Sequence, residues 1–590
     1  MAVDRLARLL DPRSVAFVGG RRAALAVQQT ERLGYAGKIW VVNPSGSPVA
    51  GRLPYASLAD LPEPPDAVFI GVGADQTVEI VARAAELGAG GVVAYAAGFA
   101  EWGELGAQRQ HRLVDVCGVM PVIGPNCHGF VNAMSGAALW PDVHGCERVE
   151  RGVAIVTQSG NVAMDLTMQQ RGLPVAYAIT LGNQAVVSIA ACITALIADT
   201  RVSAIGLHVE GIGDSAAFAA AALAAAEAEI PIVALKSGTT QRGAAIAATH
   251  TASLAGSAAA HRAMFARYGI GQVDSAEHLL GALTLLHHHG RLGGNRLVSL
   301  SCSGGEASLI ADQASSFTVD FPAFPEASRD RIDSLLEQRV AVSNPLDYHT
   351  FIWGDRARMT AVFTEALAAP VDAGILVIDF PAPGLDATDW WPTVDAFADA
   401  VKQTGAPGIV TSTLPENLPE PVCRRLRDDG LAAIPGIPAA LASVAAASTA
   451  EPRMIQPHAV LVGVTGGTMI DEATAKTWLR GHGLPLPPGR AAAAADVAAS
   501  AREVGFPVAV KSLEVEHRSD VGGVALALAD SDQVSAAVTS MRRIGKRFYV
   551  ERHIENVVAE LLVGIHHDEP VGWTLTIGAG GVLAELIRDT

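Results

Sequence analysis

The chain is 590 residues long, too long for a single hydrophobic core, and roughly three to five domains are expected of it. Half of its residues are apolar and 17% are charged, the balance of a well-buried globular protein. A formal net charge of −17 argues against a nucleic-acid partner, whose phosphates need a basic face, but not against a phosphate ligand gripped by backbone N–H groups.

The cysteines, at 117, 127, 146, 192, 302 and 423, follow no C-x-x-C or zinc spacing, so reduced structural thiols are expected. The opening MAVDRLARLLDPRS carries aspartates and lacks the apolar stretch of a signal peptide. No uninterrupted apolar run reaches the about 18 residues of a membrane span. The expected location is the cytoplasm, with no membrane partner.

Short apolar strands alternate with Ala-rich helices almost from end to end, the pattern of doubly wound parallel α/β sheets. The first series is SVAFVGG (14–20), KIWVVNP (38–44), DAVFIGVG (66–73), GVVAYAAGF (91–99) and PVIGPN (121–126). Gly19 and Gly20 fall where the first strand turns into the first helix, the place of a phosphate-binding turn, although a full G-x-G-x-x-G is absent. The second strand closes on Asn43 and Pro44, not on the acid that would hold a nicotinamide ribose, which counts against a dehydrogenase.

A second series runs GVAIVTQSGN (152–161), VAYAITLGN (175–183), SAIGLHVEG (203–211) and PIVALKSG (231–238). A third runs RLVSLSCSGGE (296–306), DAGILVIDFPA (372–382) and PGIVTSTLP (407–415). Between them LHHHGRLGGN (286–295) is expected to be an exposed polar connector, with metal binding by His287 to His289 as the alternative. Beyond about residue 450, STAEPRMIQPHAV reads as a linker. The helix IDEATAKTWLRGHG and strands of period-2 alternation then indicate an α+β unit.

Several motifs in one order carry a resemblance: SVAFVGG, GYAGKIWVVNP, GPNCHGFVN, TQSGNVAM, LGN, HVEGIGD, LKSG with THTASLAGS, SNPLDY and VAVKSLEVEHRSDVGGVAL. Together they resemble the NDP-forming (ADP-forming) acyl-CoA synthetases, the acetate–CoA ligase family related to succinyl-CoA synthetase, over essentially the whole chain. The resemblance implies a Rossmann-like CoA-binding domain over 1–145 and a flavodoxin-like domain with a phosphohistidine loop over 146–290. It implies a second flavodoxin-like ligase domain over 291–455 and a partial α+β ATP-grasp domain over 456–590. The implied activity joins a small carboxylic acid to CoA with ATP and Mg2+, releasing ADP and phosphate, in a homo-oligomer, a dimer.

Making a thioester from a carboxylate requires a leaving group, which phosphorylation by ATP supplies. If the ATP and CoA sites lie on separate domains, a carrier must bring the phosphoryl group across, and an imidazole nitrogen suits that task. His250 in THTASLAGS matches the family's phosphohistidine, and Glu210 in HVEGIGD matches the glutamate that orients its ring. Two strand-to-helix turns, Ser159–Gly160 and Ser303–Gly304–Gly305, would offer N–H donors to the carried phosphate. Lys236 would neutralise it, while Gly19, Gly20, Asn43, Pro44 and Asn126 would hold CoA.

Glu306 departs from the family's small residue, and beside a phosphate it must point away, pair with a cation or contact substrate. In the C-terminal unit Lys511 lies on an apolar strand, which is expensive unless it meets an anion, and the resemblance gives it nucleotide phosphates. His517 matches a second relay histidine, Gly522 and Gly523 the loop over the phosphates, and Glu551 and Glu560 contacts to the nucleoside. Family chains continue past this C-terminus to their magnesium ligands, so Glu585 and Asp589 are not those ligands by position, and truncation or a completing partner chain is expected. Tyr348, Trp353, Trp390 and Trp391 either enclose the acid or pack the core. The rival reading is a CoA- or acyl-CoA-binding regulator without turnover.

Overall fold

The computed structural model describes residues 2–240, 242–243, 257–449, 468–515, 521–569 and 571–580. The chain divides into two compact units, Met1–Val460 with Asp568–Gly572, and Leu461–His567 with Trp573–Thr590. No helix among the described residues is long and apolar enough to cross a membrane.

In the first unit β1 (Ser14–Gly19), β2 (Lys38–Val42), β3 (Ala67–Gly71), β4 (Val92–Ala94) and β5 (Val122–Ile123) form a parallel sheet in the order β2-β1-β3-β4-β5. All six residues of β1 are buried, as expected of a strand covered by helices on both faces. The strand order reverses at β1, so a crevice opens at the carboxyl ends of β1 and β3. Gly19 stands there at φ +126°, where an added Cβ would lie 2.8 Å from the Gly71 carbonyl oxygen.

A second sheet contains β6 (Phe130–Asn132), β7 (Ala137–Leu139), β8 (Gly152–Thr157), β9 (Val175–Thr180), β10 (Val202–Val209), β11 (Ile232–Lys236) and β12 (Gly271–Val273). Its order is β12-β11-β10-β8-β9-β6-β7, parallel from β12 to β9 and antiparallel at β6 and β7. The hairpin β6–β7, within the expected first segment 1–145, is thus hydrogen-bonded into the second sheet, because Phe130–Asn132 pairs with Tyr177–Ile179. This places the GPNCHG turn between the two sheets.

The third sheet, β13 (Leu297–Ser301), β14 (Leu346–Asp347), β15 (Ala373–Val377), β16 (Gly408–Thr411) and β17 (Ala432–Ala433), repeats the first in the order β14-β13-β15-β16-β17. One sequence expectation is corrected here, and one choice that the sequence left open is decided for the core. His287 to His289 are not an exposed connector but the last turn of helix Ala276–His289, whose buried residues run from Leu279 to Leu286 before Gly290 ends it at φ +67°. His287 Nδ1 lies 2.7 Å from Ser203 Oγ, and His289 Nε2 3.1 Å from the Gly408 carbonyl oxygen. Tyr348 is a core residue, with its ring 5.0 Å from that of Phe363, while Trp353 and Trp390 pack on the same core and on each other.

In the second unit β18 (Gly489–Ala493), β19 (Val508–Ser512), β20 (Val524–Leu528) and β21 (Arg547–Arg552) form an antiparallel sheet in the order β18-β21-β19-β20. Helices Val497–Val504 and Ser531–Met541 pack on it around Val508, Val510, Phe548 and Val550. Residues 561–568 and 572–579 pair as a separate two-stranded sheet.

Candidate functional site

A cavity of ≈ 340 Å³ opens beside the second sheet, lined by Asn126, Ser159, Gly160 and Glu210 together with Tyr95, His128, Gln158 and Asn161. Sequence reasoning named the first four separately; the fold brings them to one wall. Glu210 follows β10, and Ser159 follows β8 as the N-cap of helix Gly160–Thr167, its Oγ accepting from the Val162 N–H at 3.4 Å. The cavity therefore meets the positive end of that helix. Asn126 adopts φ +59°, its N–H donating to the Ala96 carbonyl oxygen at 2.9 Å and its Nδ2 to Asn183 Oδ1 at 3.4 Å.

Gln158 sets the position of Glu210. Its buried Oε1 accepts the N–H groups of Glu210 at 2.6 Å and Gly211 at 3.0 Å, while its Nε2 donates to the Gly211 carbonyl oxygen at 3.0 Å. Lys236 lies behind this loop rather than on the cavity wall, its Nζ donating to the carbonyl oxygens of Glu210, at 3.0 Å, and Ser237. Burial pulls the Lys236 ammonium below its usual range, against the attraction of Glu210. His208 is buried between Thr157 Oγ1 at 2.9 Å and Ser237 Oγ at 2.6 Å, and burial with the nearby Lys236 charge pushes its ring down to about 4. A neutral imidazole between two hydroxyls braces the carboxyl ends of β8 and β11.

The residues expected to hold CoA lie at the carboxyl edge of the first sheet. Gly20 is the N-cap of helix Arg21–Arg32, with no side-chain cap and no heavy atom within 4 Å of an added Cβ. The helix start is accordingly open to a ligand. Asn43 folds its own turn, its Oδ1 accepting from Ser45 N–H at 3.2 Å and Oγ at 3.0 Å and its Nδ2 donating to the Ser47 carbonyl oxygen at 3.3 Å; Pro44 is exposed within it. Arg22 links this edge to the cavity, its guanidinium 5.3 Å from the centre of the Tyr95 ring.

Ser303, Gly304 and Gly305 do not line this cavity. Ser303 caps helix Gly304–Ala314, but the surroundings are acidic: an added Cβ on Gly304 would lie 3.3 Å from Asp347 Oδ2. Glu306 has a buried Oε2 with no hydrogen-bond partner among the described residues, and burial together with Asp379 and Asp347 pushes its carboxyl up to about 7. The two helix starts are therefore electrostatically different.

In the second unit Lys511, midway along β19, meets its anion within the protein. Its Nζ lies 2.6 Å from Glu551 Oε1 and 3.0 Å from Glu472 Oε1, and Lys476 pairs with both carboxylates. Burial alone would raise the Glu472 carboxyl, but Lys476 and Lys511 outweigh it and hold it at about 2. Gly522, at φ +69°, and Gly523 form the turn into β20 beside this strand, the Gly523 carbonyl oxygen accepting from the Ser512 N–H at 2.8 Å. Glu560 is exposed, its carbonyl oxygen accepting from the Gly580 N–H at 2.7 Å, and among the described residues it makes no ion pair with either lysine.

The described residues do not supply a magnesium site: none of their His, Cys, Asp and Glu side chains cluster as metal ligands, and Glu472 and Glu551 are committed to lysines. His250, His517, Glu585 and Asp589 lie outside the described residues. Sequence reasoning did not single out Gln158, His128, Asn161, Tyr95 or His208. The signal for four of them was present, since Gln158 and Asn161 stand within TQSGN, His128 within GPNCHG and His208 within HVEGIGD.

Comparison with known proteins covers all of these regions. Residues 13–133 match a CoA binding domain, residues 150–286 a succinyl-CoA ligase like flavodoxin domain, and residues 463–590 an ATP-grasp domain. The chain is 29% identical over 620 residues to a trans-feruloyl-CoA synthase from an unknown prokaryotic organism, an alignment covering 99% of this chain and 87% of the other. It is 28% identical over 628 residues to the ADP-forming acetate–CoA ligase I of Archaeoglobus fulgidus, again covering 99% and 87%. In fold it is similar to the dinucleotide forming acetyl-coenzyme A synthetase 1 of Ca. Korarchaeum cryptofilum, solved in complex with phosphate and ADP. That likeness has a TM-score of 0.65 and 24% identity over 75% of this chain and 96% of that one.

Proposed function

From the premise that this chain belongs to the ADP-forming acyl-CoA synthetase family, we propose that it joins a carboxylic acid to CoA at the expense of ATP, releasing ADP and phosphate. The observation that carries the reading is the shared cavity wall, on which Glu210, the start of helix Gly160–Thr167 and Asn126 at the edge of the first sheet face one space.

The chemistry follows from those groups. Lys511 and the Gly522–Gly523 turn bind nucleotide phosphates, and binding replaces part of the carboxylate pairing that Lys511 now makes. The γ-phosphoryl group passes to His517 and then to His250. At the cavity the first-turn N–H groups of helix Gly160–Thr167 receive the phosphate oxygens, and the helix end stabilises their charge. Glu210, fixed by Gln158, accepts from one imidazole nitrogen of His250 and leaves the other to carry the phosphoryl group. The acid's carboxylate attacks phosphorus, the P–N bond breaks, and the acyl phosphate formed is then attacked by the CoA thiol. CoA reaches it from the first sheet's edge, where the Gly20 helix start and the Asn43–Pro44 turn receive its phosphates and Asn126 lies nearest the reacting end.

Incubation with ATP radiolabelled at the γ position tests the carrier. Acid-labile, base-stable label is expected on the wild-type chain and absent from His250→Ala; equal labelling of both removes the carrier role.

A further inference from the structure

The cavity wall carries an imidazole that the scheme above leaves unused. His128, in the turn between β5 and β6, lines the cavity together with Glu210 and packs against the Gly160 helix start. Its ring packs between Trp140, at 5.2 Å, and Tyr95, at 6.3 Å. Nδ1 is buried against the Gly160 backbone with no hydrogen-bond partner among the described residues, and an added Cβ on Gly160 would lie only 2.1 Å from it. Nε2 is not sealed in this way and is the nitrogen left to the cavity. With the ring in this position the facing residue has room for no Cβ, so glycine is required at 160.

The position is specific. Tyr95 connects the His128 ring to Arg22 and so to the crevice at β1, while Gly160 connects it to the phosphate-receiving helix end. Resting on the ligase reading above, we propose that His128 Nε2 is the general base that takes the proton of the CoA thiol as sulfur attacks the acyl phosphate. The S–H bond breaks toward Nε2, an S–C bond forms at the acyl carbon, and the C–O bond to phosphate breaks with its electron pair leaving on phosphate. The imidazolium then returns its proton to the departing phosphate or to solvent.

The charged surroundings favour a ring that is neutral at rest. Burial lowers the basicity of His128 and the Arg22 guanidinium adds to this, while the Gly160 backbone and the Asp142 carboxylate pull the other way; the net shift is downward. The other ionisable side chains on the same cavity are Glu210, Tyr95 and Cys127, and burial pushes the Cys127 thiol up to about 12. A neutral imidazole is the form that accepts a proton.

The test compares two acceptors for one acyl phosphate. Ferulate, acetate and a panel of short-chain and aryl acids are supplied with MgATP and either CoA or hydroxylamine, which needs no base to attack. His128→Gln and His128→Phe are compared with the wild type, the second keeping an aromatic ring against Trp140 and Tyr95. Thioester formation at pH 7 is expected to fall 10²- to 10³-fold in both, with hydroxamate formation within threefold of wild type. The deficit narrows as the pH approaches the thiol's own pKa near ~8.5. Equal losses with both acceptors, or undiminished thioester formation, overturn the base. A wild-type chain that forms no hydroxamate with any acid counts against the ligase reading itself, and the base falls with it.

Discussion

Gln158 Oε1 accepts the backbone N–H of Glu210 at 2.6 Å, so the turn after β8 and the loop after β10 are fastened to one another through a buried amide. The same side chain also satisfies both backbone polar groups of Gly211. Replacing it with an apolar residue takes the acceptor from the Glu210 and Gly211 N–H groups, at a cost of roughly 1–3 kcal/mol each, while the Gly211 carbonyl oxygen still accepts from Gln184 Nε2 at 2.9 Å. Gln158→Leu is therefore expected to reduce turnover at least tenfold while leaving the KM for CoA little changed, since the crevice at β1 is untouched. Gln158→Glu keeps the acceptor and should lose less. Steady-state kinetics with phosphoenzyme labelling measure both, and a leucine variant with wild-type turnover would show that Glu210 needs no such fastening.

The half-buried cluster of Lys476, Lys511, Glu472 and Glu551 predicts opposite outcomes for its two signs of charge. Glu551→Gln leaves two lysines sharing Glu472, and the thermal midpoint of the second unit is expected to fall by several degrees. Lys511→Met removes one cation and an expected phosphate contact. It should abolish the stabilisation conferred by ADP or ATP while shifting the nucleotide-free midpoint less than Glu551→Gln does. Calorimetry with and without nucleotide decides the matter. Retained nucleotide stabilisation in Lys511→Met would free that lysine from the phosphate role.

Much of this architecture was legible in the residues. Continuous apolar strands such as SVAFVG and GVAIVT have buried faces on both sides, and their spacing from Ala-rich helices leaves little but parallel sheets. What periodicity could not convey was which strands belong together: β6 and β7 sit close to the first series in sequence but complete the second sheet by antiparallel pairing with β9. The histidine run failed for a related reason, because three polar rings conceal a helix whose apolar face ends just before them. At the site, Glu210, Ser159, Gly160 and Asn126 were recognisable from motifs; Gln158 and His128 stand in the same motifs, but what they touch belongs to segments distant in the chain. Their neighbours in sequence say nothing of those contacts. Glu306 was visible as an anomaly, and its surroundings account for it: it faces Asp347 and Asp379, not a cation, and burial favours its neutral form.

Two sets of groups give the first unit stability terms of opposite pH dependence. His208 and His287, both held down at about 4 by burial, and His288, at about 3 for the same reason, are neutral in the fold. Their ordinary value lies near ~6.5, so the unfolded chain takes up protons first and stability is lost as pH falls from there toward 4. Glu306 is raised, so its contribution is complete below the ordinary carboxylate range and is lost as pH rises through about 7. Unfolding midpoints recorded from pH 4 to 9 should therefore drop steeply on the acid side. Glu306→Gln should raise the midpoint at pH 8 relative to wild type and have little effect at pH 5. An alkaline limb identical in the two proteins would contradict the environment described for this carboxyl.

Gly160 and Gly20 each begin a helix, but they stand in different surroundings, and alanine distinguishes them. At Gly20 a Cβ meets nothing within 4 Å, so Gly20→Ala should fold and melt as the wild type does. It should weaken CoA binding if the open helix start receives the ligand, because the new methyl projects into the space that makes the start accessible. At Gly160 the Cβ would lie 2.1 Å from His128 Nδ1 and 2.5 Å from its Cε1, closer than any relaxed contact, so the ring must move. In an exposed helix alanine is favoured over glycine by about 1 kcal/mol, so any loss in Gly160→Ala comes from the cavity and not from helix propensity. The expected result is a decrease of 10²-fold or more in thioester formation with the secondary structure unchanged. Calorimetry and circular dichroism establish the folding of both variants, titration calorimetry gives their CoA affinities, and an active Gly160→Ala chain would mean that the His128 cage is not required.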